Sequence, residues 1–163
     1  MSNNFVKEDQ IIIRNYRTSD YEATLEILKQ LDNKFDIGLK EKQWKKSSGL
    51  RQFKPNLKRI TLIAELKSNG EVVSMGMLEA VKNNLGQYIG YLNSWSTTKE
   101  VIGKGVGKIL ADRAIQILKS WGCDSVRINM AYDMKNLDSL ISVFGKLGFK
   151  PIIIVLEKRF ENI

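Results

Sequence analysis

Three glycines alternate with a lysine and a valine over Gly103-Lys104-Gly105-Val106-Gly107, and Lys108 follows. Behind them Val106, Ile109, Leu110, Ala114, Ile117, Leu118 and Trp121 keep the i, i+3, i+4, i+7 spacing of an amphipathic helix, which Gly122 closes. A glycine-rich turn that opens a helix can cradle a phosphate. With side chains removed, several N–H groups converge at the positive end of the helix dipole. Lys104 and Lys108 add full positive charge. A tight turn with a helix cap would need one glycine, not three. Two common phosphate motifs do not fit. A nucleotide-triphosphatase loop needs Ser or Thr after Gly-Lys, but Ile109 follows Gly107-Lys108, and Ile102 stands where its first glycine belongs. A dinucleotide fingerprint needs Gly-x-Gly-x-x-Gly after the first strand of a parallel unit. Here the spacing is Gly-x-Gly-x-Gly and the preceding strands read as a meander.

Composition removes other chemistries. The chain has no histidine, which excludes the commonest zinc ligand, the commonest general base and every Ser-His or Cys-His dyad. A metal site would have to be built from carboxylates, and no loop is rich in them, so no metal is expected. One cysteine, Cys123, cannot form an internal disulfide, and a reducing cytoplasm is the expected compartment. No stretch approaches the roughly 18 apolar residues of a membrane helix. The balance of 26 Lys+Arg against 18 Asp+Glu gives +8, a surface suited to anionic partners or simply to solubility. Nucleic acid is disfavoured, because the basic run lacks interleaved aromatics and no helix-turn-helix pattern is present.

The elements that must position the turn follow from periodicity. The 163 residues fit one domain. Residues 1–10 are polar and read as a frayed tail; residues 11–163 read as a single domain. Ile11 to Tyr16 is a β-branched strand. Thr18-Ser19-Asp20 offers caps for a helix to about Leu31, and a second helix is expected over Lys40 to about Phe53 with Trp44 inward. Ile60–Leu66, Val72–Val81 and Gln87 to about Thr97 make an antiparallel meander, joined at Asn69-Gly70 and at 82–86. Ser125–Ala131 is a strand, Asn136–Leu147 a helix closed by Gly148, and Pro151–Phe160 a last strand. The class is α/β of the α+β kind: a single mixed, mainly antiparallel sheet flanked by helices.

This order, with the glycine turn, resembles the Gcn5-related N-acetyltransferase superfamily. The hallmark of that family is Gln/Arg-x-x-Gly-x-Gly/Ala, and Ile102-Gly103-Lys104-Gly105-Val106-Gly107 matches it except at the first position. Trp95-Ser96-Thr97 stands where the family has its cofactor-binding strand, and Asn136, Phe144 and Leu147-Gly148-Phe149 match its later features. The resemblance spans about Ile11 to Phe160. It implies the acyl-coenzyme A N-acyltransferase fold and acetyl-coenzyme A as cosubstrate. The implied cofactor contacts are Trp95, Ser96, Thr97, Gly103, Lys104, Gly105, Val106, Gly107, Lys108, Asn136 and Phe144. Phe144 stands where the family often has a tyrosine that protonates the departing thiolate.

Acetyl transfer to an amine needs a neutral amine, a polarised carbonyl and a tolerable leaving thiolate. Glu79, late in the second meander strand, is the first candidate base, with Tyr91 and Tyr132 near the expected acceptor end. The segment from Lys34 to Arg59 is rich in lysine and arginine. Such a rim would repel polyamines and suit an acidic peptide or an anionic small amine. The expected reaction is N-acetylation of a primary amine, a protein amino group (N-terminus or lysine) ahead of a small molecule. The rival reading is a non-catalytic acyl-coenzyme A-binding regulator of the same fold.

Overall fold

The computed structural model describes residues 5–30, 41–130 and 137–161. The chain divides into two compact units, Met1–Asn129 and Met130–Ile163. The first holds strands β1 (Ile11–Asn15), β2 (Gln52–Lys54), β3 (Leu57–Leu66), β4 (Val72–Lys82), β5 (Tyr88–Thr97) and β6 (Cys123–Arg127), with helices α1 (Tyr21–Lys29) and α2 (Val106–Ser120). The second holds α3 (Leu137–Lys146).

The six strands form one mixed sheet in the order β1-β3-β4-β5-β6, with β2 also paired to β3. All pairings are antiparallel except β5 with β6, which is parallel. The expected fold class is the one observed. Local chemistry explains the meander. In the first hairpin, Asn69 Oδ1 accepts the Glu71 N–H at 2.9 Å and Gly70 takes φ +72°. In the second, Asn83 Oδ1 accepts the N–H groups of Leu85 and Gln87, each at 3.0 Å.

The sheet has a core on each face. On one face α2 buries Val106, Leu110, Ala111, Ala114 and Leu118 against Ile60, Leu62, Leu78, Ala80 and Leu92. On the other, Ile27 and Leu28 of α1 join Tyr16 and Trp44 over Ile63, Met75 and Met77. This two-face alternation is what a period-2 strand produces when both faces are covered.

Asp20 anchors the entry to α1, although its side chain makes no helix-cap bond. It accepts a two-pronged contact from Arg14, at 2.7 and 2.8 Å, and the Arg17 N–H at 2.7 Å. Burial pushes the Asp20 carboxyl up, but the Arg14 guanidinium and the Arg17 N–H outweigh it and hold it below the usual range.

Four expected elements differ, the first being the strand expected over Ser125–Ala131, which instead runs over Cys123–Arg127 and ends where its pairing with β5 stops. The helix expected over residues 40–53 is absent from its described part. Glu41–Gln43 make one 3-10 turn and Gln52–Lys54 make β2. Tertiary contacts decide this. Trp44 does face inward, its indole N–H donating to Thr24 Oγ1 at 2.8 Å, and the Tyr16 ring lies against Gly49, where a Cβ would approach it to 2.5 Å. The helix ending near Leu31 ends at Lys29 with Gln30 as its cap. The strand expected over 151–160 is not formed among the described residues, which carry no helix or strand there. A β-branched run becomes a strand only with a ladder partner, and none among the described residues pairs with it. In the same unit Gly148, at φ +92°, ends α3. The Phe149 N–H reaches Phe144 O at 3.0 Å and the Gly148 N–H reaches Gly145 O at 3.1 Å, a Schellman close.

Candidate cofactor and acceptor site

β5 carries the site because it changes neighbours along its length. Its pairing with β6 runs from Tyr88 to Tyr91, opposite Cys123 to Arg127, and then stops. β6 ends at Arg127, so beyond Tyr91 a fork opens along this edge of β5, which has no further strand partner among the described residues. On the other edge β5 stays paired with β4 as far as Thr97. Met75 pairs with Ser96 and Met77 with Asn93, so Ser94 and Trp95 together oppose Gly76. This is a β-bulge, and Ser94 within it has φ +55°, the only positive value among the described non-glycine residues. The bulge re-aims β5 at the fork.

After β5 the chain turns back into α2. Gly103 and Gly105 adopt φ +79° and +90°, values that favour glycine. Gly107 has no such need; a Cβ there would meet Thr97 Oγ1 at an ordinary 3.7 Å. Gly105 is the α2 N-cap and supplies no side-chain cap. The N–H groups of Val106, Gly107 and Lys108 therefore have no carbonyl to meet within the helix. Thr98 Oγ1, at the start of the same turn, is buried without a hydrogen-bond partner. A turn with glycine at 103, 105 and 107 and with free N–H donors at the helix start fits a pyrophosphate. Lys104 is exposed beside it, whereas Lys108 pairs outward with Asp112 at 2.8 Å. A cleft of about 320 Å³ is lined by Gln30, Trp95, Ser96, Thr97, Lys99 and Ile102. It joins the end of α1 to the end of β5.

Of the residues expected from sequence, Trp95, Ser96 and Thr97 line this cleft, and residues 103–108 form the turn beside it. Ile102 is exposed at the cleft edge, in the place of a Gln or Arg. Glu79 and Tyr91 are register partners on adjacent strands and share a sheet face. Glu79 Oε1 accepts Asn93 Nδ2 at 3.1 Å and lies 3.2 Å from Arg59 Nε. Phe144 belongs to the second unit, edge-on to Phe149 with centroids 5.5 Å apart. Tyr132 and Asn136 lie outside the described residues.

The family model for the acetyltransferase (GNAT) family matches residues 22–149. The chain belongs to that acetyltransferase family. No curated protein sequence matches it. Solved structures share the fold at low identity. An acetyltransferase of Trypanosoma brucei is 18% identical with TM-score 0.66, covering 92% of this chain and 99% of its own. The glucosamine-6-phosphate N-acetyltransferase of Arabidopsis thaliana is 19% identical with TM-score 0.65, covering 93% and 99%. A transcriptional regulator of Bacillus halodurans is 18% identical with TM-score 0.66, covering 92% and 99%. The GNAT family uses acetyl-coenzyme A as cosubstrate. Among the described residues no cluster of three or more His, Cys, Asp or Glu could hold a metal, and no helix is long and apolar enough to cross a membrane.

Several residues of this GNAT site were not singled out in the sequence. Gly76 had a signal, a glycine in mid-strand, which marks close approach. A Cβ there would collide with the benzo ring of Trp95. Val6 had none; its N–H donates to Lys104 O at 2.9 Å and so ties the chain start to the glycine turn. Arg59 and Asn93 reach Glu79 only through sheet register.

Proposed function

We propose that this GNAT protein transfers the acetyl group of acetyl-coenzyme A to a primary amine, a protein amino group ahead of a small molecule. The observation that carries the reading is the glycine turn at the start of α2 standing at the open end of the β5–β6 fork. Bound acetyl-coenzyme A supplies an activated thioester. The N–H groups of Gly105, Val106, Gly107 and Lys108 hold its pyrophosphate, with Lys104 adding charge. The unpaired edge of β5 at Trp95, Ser96 and Thr97 takes the pantetheine arm as an added strand, and a backbone N–H there polarises the thioester oxygen. Asn136 and Phe144 complete the cofactor side by resemblance. Glu79 takes the ammonium proton, directly or through water, with Tyr91 and Tyr132 around the acceptor. Its carboxylate is oriented for this by Asn93 and Arg59. A side-chain acid is not obligatory, because a thiol of pKa near ~8.5 leaves as thiolate at modest cost. Residues 11–163 act as one catalytic domain, in the cytoplasm, where a lone Cys123 stays reduced.

Phe144 favours a second reading, a binding-only regulator, because it lacks the hydroxyl that many relatives place there. A screen of acidic peptides, lysine peptides and small amines with detection of released thiol separates the two. Acetylated product with stoichiometric thiol release is expected. Tight coenzyme A binding with no product from any acceptor would support the regulator.

A further inference from the structure

A polar row crosses four strands on the sheet face opposite α2. Arg59 of β3 pairs with Glu79 of β4, Glu79 with Tyr91 of β5, and Tyr91 with Arg127 of β6. Register partners point to the same side of a sheet, so the four side chains share one face. Val126, one residue back, packs instead with the α2 core, as alternation requires.

The two arginines differ in what compensates them. Arg59 lies 3.2 Å from Glu79, although its Nε–H is not aligned on the carboxylate. Arg127 has no ion pair among the described residues, and its buried Nε has no hydrogen-bond partner. A guanidinium keeps its charge at every accessible pH, so protonation changes cannot relieve this. Arg127 as a whole is half-buried, but a buried charged N–H left unpaired costs free energy that an apolar side chain would not. Arg127 is therefore a donor with no acceptor among the described residues.

Its place narrows the choice. Arg127 is the last β6 residue paired with β5, at the vertex of the fork. The phosphate turn follows the other end of β5. Thr97 lies six residue steps beyond Tyr91, roughly 20 Å at strand rise. Arg127 thus stands at the acyl end, far from the pyrophosphate cradle and in the same row as Glu79. The rim on this face is also cationic, with Lys42, Lys45 and Lys46 exposed around buried Trp44.

We infer that the acceptor carries an oxyanion, carboxylate or phosphate, beside its amine, and that Arg127 binds it while Glu79 faces the amine. This rests on the acetyltransferase reading above. The planar fork of arginine matches either oxyanion with two parallel N–H donors.

Matched acceptor pairs test it with the full chain and acetyl-coenzyme A: phosphoethanolamine against ethanolamine, glycine against glycinamide, and an aspartate- and glutamate-containing peptide against its Asn/Gln counterpart. The charged member of at least one pair is expected to have kcat/KM about tenfold or more above the neutral one, the worth of one charge-assisted bond. Which pair responds tells a small acceptor from a peptide. In Arg127→Gln that ratio falls towards one, mainly through KM, while acetyl-coenzyme A affinity is kept; Arg127→Lys retains part of the preference. A second reading needs no turnover. With saturating coenzyme A covering the phosphate turn, inorganic phosphate raises the melting temperature of the natural protein but not of Arg127→Gln. Equal rates within every pair, or a phosphate effect that survives in Arg127→Gln, overturns the inference. If no amine is acetylated while the phosphate effect is lost in Arg127→Gln, the anion site stands and the acetyltransferase reading falls.

Discussion

The indole N–H of Trp95 donates to the carbonyl oxygen of Gly107 at 3.2 Å, which ties the end of β5 to the first turn of α2. The strand that would take the pantetheine arm and the helix start that would take the pyrophosphate are thereby held in one geometry. The Trp95 ring rests on Gly76, so a glycine in β4 sets that distance.

Gly76→Ala should therefore push the indole off β4 and break the bond to Gly107. Overpacking of this kind costs about 1–3 kcal/mol. Coenzyme A affinity should fall about two- to tenfold if roughly half of that is felt at the site. Calorimetric titration beside a melting curve checks it. Unchanged affinity with a lowered melting temperature would show that the Trp95 tether is structural only.

Gly105→Glu should be more severe. The position has φ +90°, and the new carboxylate would stand where phosphate is expected. Loss of two or more charge-assisted bonds predicts at least about a hundredfold weaker coenzyme A binding. Affinity within threefold of the natural protein would put the pyrophosphate elsewhere.

Glu79→Gln removes the proposed base but keeps an acceptor for the Asn93 amide. Turnover should drop about a hundredfold near neutral pH and recover in part at alkaline pH, where free amine is more abundant. A pH–rate profile parallel to that of the natural protein would take Glu79 out of the reaction.

Phe144→Tyr should preserve coenzyme A affinity and leave the rate the same or raise it up to roughly tenfold, below the usual acid–base contribution. A fall in rate with affinity intact would count against thiolate departure without a side-chain acid.

Asp20→Asn tests the buried pair with Arg14. The Asp20 carboxyl is held below its usual value in the folded protein. Its contribution is thus complete above the unfolded value of about 3.9 and is lost as pH falls through the folded one. The variant should be less stable by about 3 kcal/mol at pH 7, the low side of a broken buried pair because Arg14 keeps Glu65 at 3.0 Å. The gap should stay flat down to about pH 5 and narrow as acid is added further. Urea melts at several pH values check this, and a gap that widens in acid would contradict it.

What the sequence alone determined is local. The Gly103–Gly107 turn, the α2 stripe, the Asn-Gly hairpin and the Leu147-Gly148-Phe149 helix stop are each written within one or two turns of chain, where backbone sterics and periodicity decide the outcome. The segment around Trp44 was not legible in the same way. Its charge pattern suits a helix, but Thr24 and Tyr16, some twenty or more residues away, hold it as a turn. The expected strand over 151–160 needs a partner that its own residues cannot supply. Only tertiary structure decided the parallel β5–β6 register, the bulge at Ser94 and the fork beyond Tyr91. Those pairings bring Arg59, Glu79, Tyr91 and Arg127 into one row, and a strand pattern states which residues share a face without stating which strand stands beside it.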